Sequence, residues 1–227
     1  MKKFLWGCFV RLSVIVLVTV IIGVIAIYQQ RDDIALKLNN DAIEALHSSD
    51  SSAVEHIRNL KIAGMISDEY DDVVFYNLSQ YYFNYFPQIV GLTKEECFNK
   101  GLEFSRKAVD TSPENVVYLE DLALNLEIMA INKMDVDLDE LLEILDQISL
   151  AYIKPFMERN EQPTDFVKKK LASCFMRSGR VLVSLNELEQ AYQRFKVAQQ
   201  LCPTPLNKIY IERVEKELNK NRTLAIQ

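Results

Sequence analysis

Residues 171–203, LASCFMRSGRVLVSLNELEQAYQRFKVAQQLCP, narrow the choice of fold more than any other stretch. A helical apolar pattern runs up to a turn, restarts, and stops at Pro203. Ala191, Phe195 and Ala198 follow one another at steps of four and three, which sets all three on one helix face. A small residue on a packed face lets a second helix come close, and the aromatic ring fills the space beside it. Pro203 ends the run because its ring and missing N–H cannot continue the ladder. A chain built around such a unit packs helix against helix.

The same periodicity extends from about residue 30 to 220. Residues 33–47 and 51–63 read as a helix pair broken by HSSDSS, with Ser51 or Ser52 as cap, a face of Ala53, Ile57 and Leu60, and Gly64 as the close. Phe75, Leu78, Ser79 and Tyr82 recur at i, i+3, i+4 and i+7. Thr93 with Glu96 is a capping box. It opens a helix carrying Gly101, Phe104 and Ala108 before Pro113. Leu119, Leu122, Ala123 and Leu126 repeat the spacing. Their partner helix runs from about Asp137 to Tyr152. In the last pair Leu171, Ala172, Phe175 and Gly179 mark the first helix, with extra residues before the second. A charged amphipathic helix from Leu206 to about Leu218 follows. With 6 glycines and 6 prolines in 227 residues, a β-sandwich rich in tight turns does not fit.

This pattern resembles the tetratricopeptide repeat (TPR) family. Ala191, Phe195, Ala198 and Pro203 match its second helix at four places, and Phe75, Leu78, Ser79 and Tyr82 match its first. In the Gly101–Pro113 helix the aromatic stands one place early. The resemblance implies an all-α fold over residues 29–220: a right-handed α-solenoid of about four degenerate helix pairs with a capping helix, since no single pair buries its apolar face. Residues 221–227 form a frayed tail. Phe75, Leu78, Tyr82, Gly101, Ala108, Leu171, Ala172, Phe175, Ala191, Phe195, Ala198 and Pro203 become packing positions. In this family first-helix residues line a concave groove that holds partner peptides. By that likeness Tyr76, Gln80 and Phe83 line it in one unit, and Lys169, Ser173 and Met176 in another. The alternative for the aromatics is packing against neighbouring helices.

Residues 12–28, LSVIVLVTVIIGVIAIY, hold no charge. At about 1.5 Å per residue they span roughly 26 Å, near the ~30 Å of a bilayer core. Lys2, Lys3 and Arg11 lie before them, Asp32 and Asp33 after. The positive-inside rule therefore keeps residues 1–11 in the cytoplasm and exports the body of the chain, as in a bacterial inner-membrane protein facing the periplasm. The rival is a signal peptide cleaved after Ala26. The uncleaved anchor is preferred because the apolar run continues to Tyr28.

The chain carries a net charge of −6, and its basic start makes the body more acidic still, which weighs against nucleic acid. Cys8, Cys97, Cys174 and Cys202 form no CxxC pair. Cys174 and Cys202 are either a disulfide or buried thiols, the latter preferred. Asp135, Asp137, Asp139, Glu143 and Asp146 fall at calcium-loop positions. Glu140, however, stands where the turn needs glycine, and a capped helix start with an acidic face is simpler. Lys168, Lys169, Lys170, Arg177 and Arg180 form a basic patch for anionic lipid or an acidic partner, or else a solvated face. His47 and His56 have no companions to complete a metal set. No phosphate loop or nucleophile elbow is present. The expectation is a membrane-anchored adaptor or scaffold that binds proteins on the non-cytoplasmic face, without cofactor or metal. The alternatives are a chaperone-like accessory or structural subunit of a secretion or envelope-assembly complex, and an enzyme subunit.

Overall fold

The computed structural model describes residues 30–45 and 53–224, together with Val20, Gly23 and Ile25. The expected span at 12–28, the Ala26 cleavage site, the Ser51 or Ser52 cap, and His47 lie outside the described residues, apart from those three positions. No helix among the described residues is long and apolar enough to cross a membrane. The described elements are helical throughout, and the chain divides into two compact units, Met1–Leu92 and Thr93–Gln227.

The first unit holds α1 (residues 30–45), α2 (Ala53–Ile66), α3 (Asp71–Asn84) and a 3-10 turn at Phe86–Gln88. The expected face of α2 is buried at Ala53, Ile57, Leu60 and Ala63. Gly64 does not close the pair. It lies inside α2, where an added Cβ would come within 3.4 Å of Val74 Cγ1 on α3. Two buried polar contacts fix α3 against α1. Asn77 Nδ2 donates to Asn39 Oδ1 at 2.7 Å, and Tyr81 Oη donates to the carbonyl of Ala42 at 2.6 Å. Buried donors of this kind set register, because a slip leaves each one unsatisfied.

The second unit holds α4 (Lys94–Thr111), α5 (Val116–Ile131), α6 (Leu138–Glu158), α7 (Asp165–Ser184), α8 (Leu188–Leu201) and α9 (Pro205–Leu224). Each helix packs on the next in chain order. The capping box forms as expected: Glu96 N–H donates to Thr93 Oγ1, and Thr93 N–H to the Glu96 carboxylate. Charged contacts also join alternate helices. Lys170 of α7 meets Glu120 of α5 at 2.8 Å, Arg177 meets Glu127 at 2.7 Å, and Arg194 of α8 meets Asp146 of α6 at 2.7 Å. First helices are thereby linked to first helices and second to second, as stacked hairpins require.

The α7–α8 hairpin corrects the expected register. No extra residues precede α8: α7 continues to Ser184, and residues 185–187 make the turn, with Asn186 at φ 63°. The steps i, i+3, i+4 and i+7 therefore fall on Phe175, Ser178, Gly179 and Leu182, not on a set that begins at Leu171. Leu171 and Ala172 are buried all the same. Phe195 is fully buried, and its ring lies so close to Gly179 that a Cβ there would be 2.5–2.8 Å from three ring atoms. Gly179 is thus the small residue that admits the aromatic.

In α4 the place of the aromatic is taken by Ser105, between Gly101 and Ala108. Phe104 is only half-buried. Ser105 Oγ donates to Asp121 Oδ2 at 3.1 Å, and Asn125 Nδ2 reaches Ser105 Oγ at 2.7 Å and Asp121 Oδ2 at 3.0 Å. A buried polar cluster replaces a ring. Two further boundaries differ. α6 passes Tyr152 and continues through Pro155 to Glu158, and α9 is helical to Leu224, past the start of the tail expected to fray.

Candidate functional site

Thr164 caps α7 by accepting from Val167 N–H, and the helix buries Leu171, Cys174, Ser178 and Leu182. The steps of four, three and four from Lys169 to Ser173, Met176 and Arg180 define another face of the same helix. Opposite it, α9 presents Leu206, Asn207 and Tyr210, and one turn further Arg213, Val214 and Glu217. Between the two helices lies a cavity of about 330 Å³ lined by Lys169, Ser173, Met176 and Arg180 of α7 and by Leu206 and Tyr210 of α9. A second cavity of about 400 Å³ continues from it, with Ile131, Leu138, Leu141, Val181 and Leu188 as its apolar wall. Arg177, Arg180 and Tyr210 line both, so the two share a wall and form one groove.

The charges around the groove are sorted by pairing. Lys168 lies 3.6 Å from Asp165, and Lys170 donates to Glu120, which also accepts from Tyr152 Oη at 2.8 Å. Burial works against the ionised Glu120, but the bonds from Lys170 and Tyr152 outweigh it and hold its carboxyl below the usual range. The bond to Glu120 in turn raises Lys170. Lys169, Arg180 and Arg213 make no ion pair among the described residues. Arg177 spends its Nε on Glu127, while its Nη2 is buried with no hydrogen-bond partner. The basic patch expected at 168–170, 177 and 180 therefore splits. Lys168, Lys170 and Arg177 are tied to neighbouring carboxylates, and Lys169 and Arg180 line the groove with no ion pair among the described residues.

Of the groove residues expected from sequence, the structure brings Lys169, Ser173 and Met176 together in one cavity. In the first unit Tyr76 and Gln80 are half-buried, and Gln80 accepts from Asn84 Nδ2 at 3.0 Å. Phe83 is buried. α3 is covered on more than one side, since α2 and the Phe86–Gln88 turn pack on it and its Asn77 and Tyr81 bond to α1. Tyr81 is the deepest aromatic of α3 and stacks on His56 at 5.8 Å between centroids.

Tyr210, Arg213 and Asn207 were also passed over. Stepping by four and three from Leu206 would have placed the first two on one face of α9. Cys97, Cys174 and Cys202 are free thiols, the first two buried. The run from Asp135 to Asp146 is not a calcium loop. It is helical from Leu138, Asp137 caps it by accepting from the N–H groups of Asp139 and Glu140, and its acids serve other partners: Glu140 pairs with Arg106 and Asp146 with Arg194. Among the described residues no three His, Cys, Asp or Glu side chains stand together as a metal set.

A separate cavity of about 370 Å³ lies between the start of α5 and the C-terminal half of α6, lined by Val116, Leu119, Leu150, Lys154 and Pro155. Leu150 and Met157 near it on α6 are well exposed.

No protein-family model matches the sequence, and no curated protein matches it. Among solved structures, one described as MamA MSR-1 C2 is similar, with 16% sequence identity and a TM-score of 0.49, over 86% of this chain and 89% of that one.

Proposed function

We propose that the chain is a membrane-tethered adaptor that binds other proteins through the α7–α9 groove. The observation that carries this reading is the groove itself. Its two cavities fall in the range of built ligand sites, its wall is apolar, and its rim carries guanidinium groups. The stacked hairpins and the tetratricopeptide spacing support the same use, and with it a right-handed coil of the pairs. Residues 12–28 serve as the anchor and the helical body is exported, a placement supported by the charge asymmetry around that stretch. The protein acts by binding rather than by catalysis.

A crosslinking pull-down from native membranes tests this. It compares the full chain, a version lacking residues 1–28, and Ser173→Trp, which fills the cavity from an exposed position. A discrete partner set kept by the truncated chain and lost in Ser173→Trp is the expected result. Partners indifferent to Ser173→Trp overturn the groove reading. The exposed Leu150 and Met157 beside the α6 cavity favour a second reading, a structural subunit joined through its outer helices. Loss of the partner set in Leu150→Glu, with Ser173→Trp unaffected, would select it.

A further inference from the structure

The groove is asymmetric in charge along its length, and this bears on what it holds. The cavity nearer the start of α7 is lined by Lys169, Arg177 and Arg180, and by no Asp or Glu, in a chain whose net charge is −6. The continuing cavity carries Glu127 and Glu217 as well as Arg213 among its lining, together with the aliphatic wall of Ile131, Leu138, Leu141, Val181 and Leu188. Glu127 is already engaged by Arg177 Nε at 2.7 Å. Arg177 lines both cavities, but its Nη2 is buried and closed to an incoming group. Lys169 and Arg180 are exposed, line the first cavity and make no ion pair among the described residues.

Resting on the adaptor reading above, we propose that the groove is selective for an acidic segment of a partner protein. A carboxylate sits on Lys169 and Arg180, the two exposed cations of the first cavity, and an aliphatic side chain a few residues away fills the second cavity. The first cavity holds cations and no acid, whereas the second mixes Glu127 and Glu217 with Arg213, so the charged residues of the segment lie toward Lys169. The recess also decides against a lipid surface. A bilayer is broad and flat, and the cations here line a cleft between two helices rather than a protruding face.

The test uses the full chain in detergent micelles and two labelled peptides, one of alternating glutamate and leucine pairs, the other with every glutamate changed to glutamine. The acidic peptide binds, the amide peptide binds at least about tenfold more weakly, and affinity for the acidic one falls as salt rises. Arg180→Glu, at an exposed position free of ion pairs, removes the preference with the circular-dichroism melting curve unchanged. Lys169→Gln, which removes the other exposed cation of the cavity, weakens the acidic peptide alone. Equal binding of both peptides, or an acid preference that survives Arg180→Glu, overturns the proposal. So does capture of anionic phosphatidylglycerol vesicles in place of the peptide. Failure of the adaptor reading looks different: the native partner set of the pull-down is then indifferent to Ser173→Trp, whichever peptide binds. A native partner lost in Ser173→Trp but retained in Arg180→Glu keeps the adaptor and discards the acidic ligand.

Discussion

Gly179→Ala reads the packing of the second unit with a sign that helix propensity alone gets wrong. In the interior of α7, replacing glycine by alanine would ordinarily stabilise by about 1 kcal/mol, because alanine loses less backbone freedom. Here the added Cβ would stand 2.5, 2.7 and 2.8 Å from Cε1, Cδ1 and Cζ of Phe195, a ring with no accessible surface of its own. Phe195 is held by Leu182, Ala191 and Val214, and Tyr210 stacks on it at 5.1 Å. It has nowhere to withdraw without displacing α9. Overpacking of this kind costs about 1–3 kcal/mol, against the propensity gain of about 1 kcal/mol. The net expectation is a loss of up to about 2 kcal/mol, a melting temperature lower by up to roughly 8 °C at this chain length. Phe195→Leu removes Cε1 and Cζ. In that background Gly179→Ala becomes neutral or stabilising by up to about 1 kcal/mol, and the double-mutant cycle shows a coupling of about 1–3 kcal/mol. Urea unfolding of the four proteins, followed by circular dichroism, gives all four values. Stabilisation by Gly179→Ala in the parent, or the same effect in both backgrounds, refutes the reasoning.

Other consequences follow from the same contacts. Ser105→Ala leaves Asp121 and Asn125 buried with a partner removed and lowers stability by about 1–3 kcal/mol in urea unfolding. Tyr81→Phe deletes the bond to Ala42 and costs about 0.5–1.5 kcal/mol. Burial, and to a lesser degree Tyr85, pushes the Tyr81 phenol up to about 12. Its folded value exceeds the unfolded one of about 10. Its contribution is therefore complete below pH 10 and lost as pH climbs toward 12, so alkaline unfolding is shallower over that window in Tyr81→Phe. In a Cys8→Ser background a maleimide titrates Cys202 first, while Cys97 and Cys174, buried and with thiols pushed up chiefly by that burial, react only on unfolding.

Where the sequence was legible, it was because one residue type admits one role. Ala191, Phe195 and Ala198 are all fully buried, as their spacing demanded, and Thr93 with Glu96 forms the box its motif describes. Where it was not, several roles shared one alphabet. Leu171, Ala172 and Phe175 imitate the first-helix marks because α7 is packed on more than one side and carries overlapping apolar steps. That overlap shifted the register and created extra residues that do not exist. Ser105 hid the second-helix mark of α4, since its partners Asp121 and Asn125 lie on another helix and no local pattern announces them. The aromatic density of α3 said that rings were there, but not which of them the surrounding elements would cover, and Phe83 went to the interior. The groove was half visible: Lys169, Ser173 and Met176 come from one helix, whereas Tyr210 and Arg213 required knowing that α9 lies across from it.

The measurement that bears most directly on the adaptor reading places a photo-crosslinking residue at Ser173 in the groove or, separately, at the exposed Met157 on α6, each in the full chain in its native membrane. The account predicts a discrete protein adduct from position 173 that is missing from position 157. An adduct at 157 with none at 173, or the same adducts from both, would contradict it.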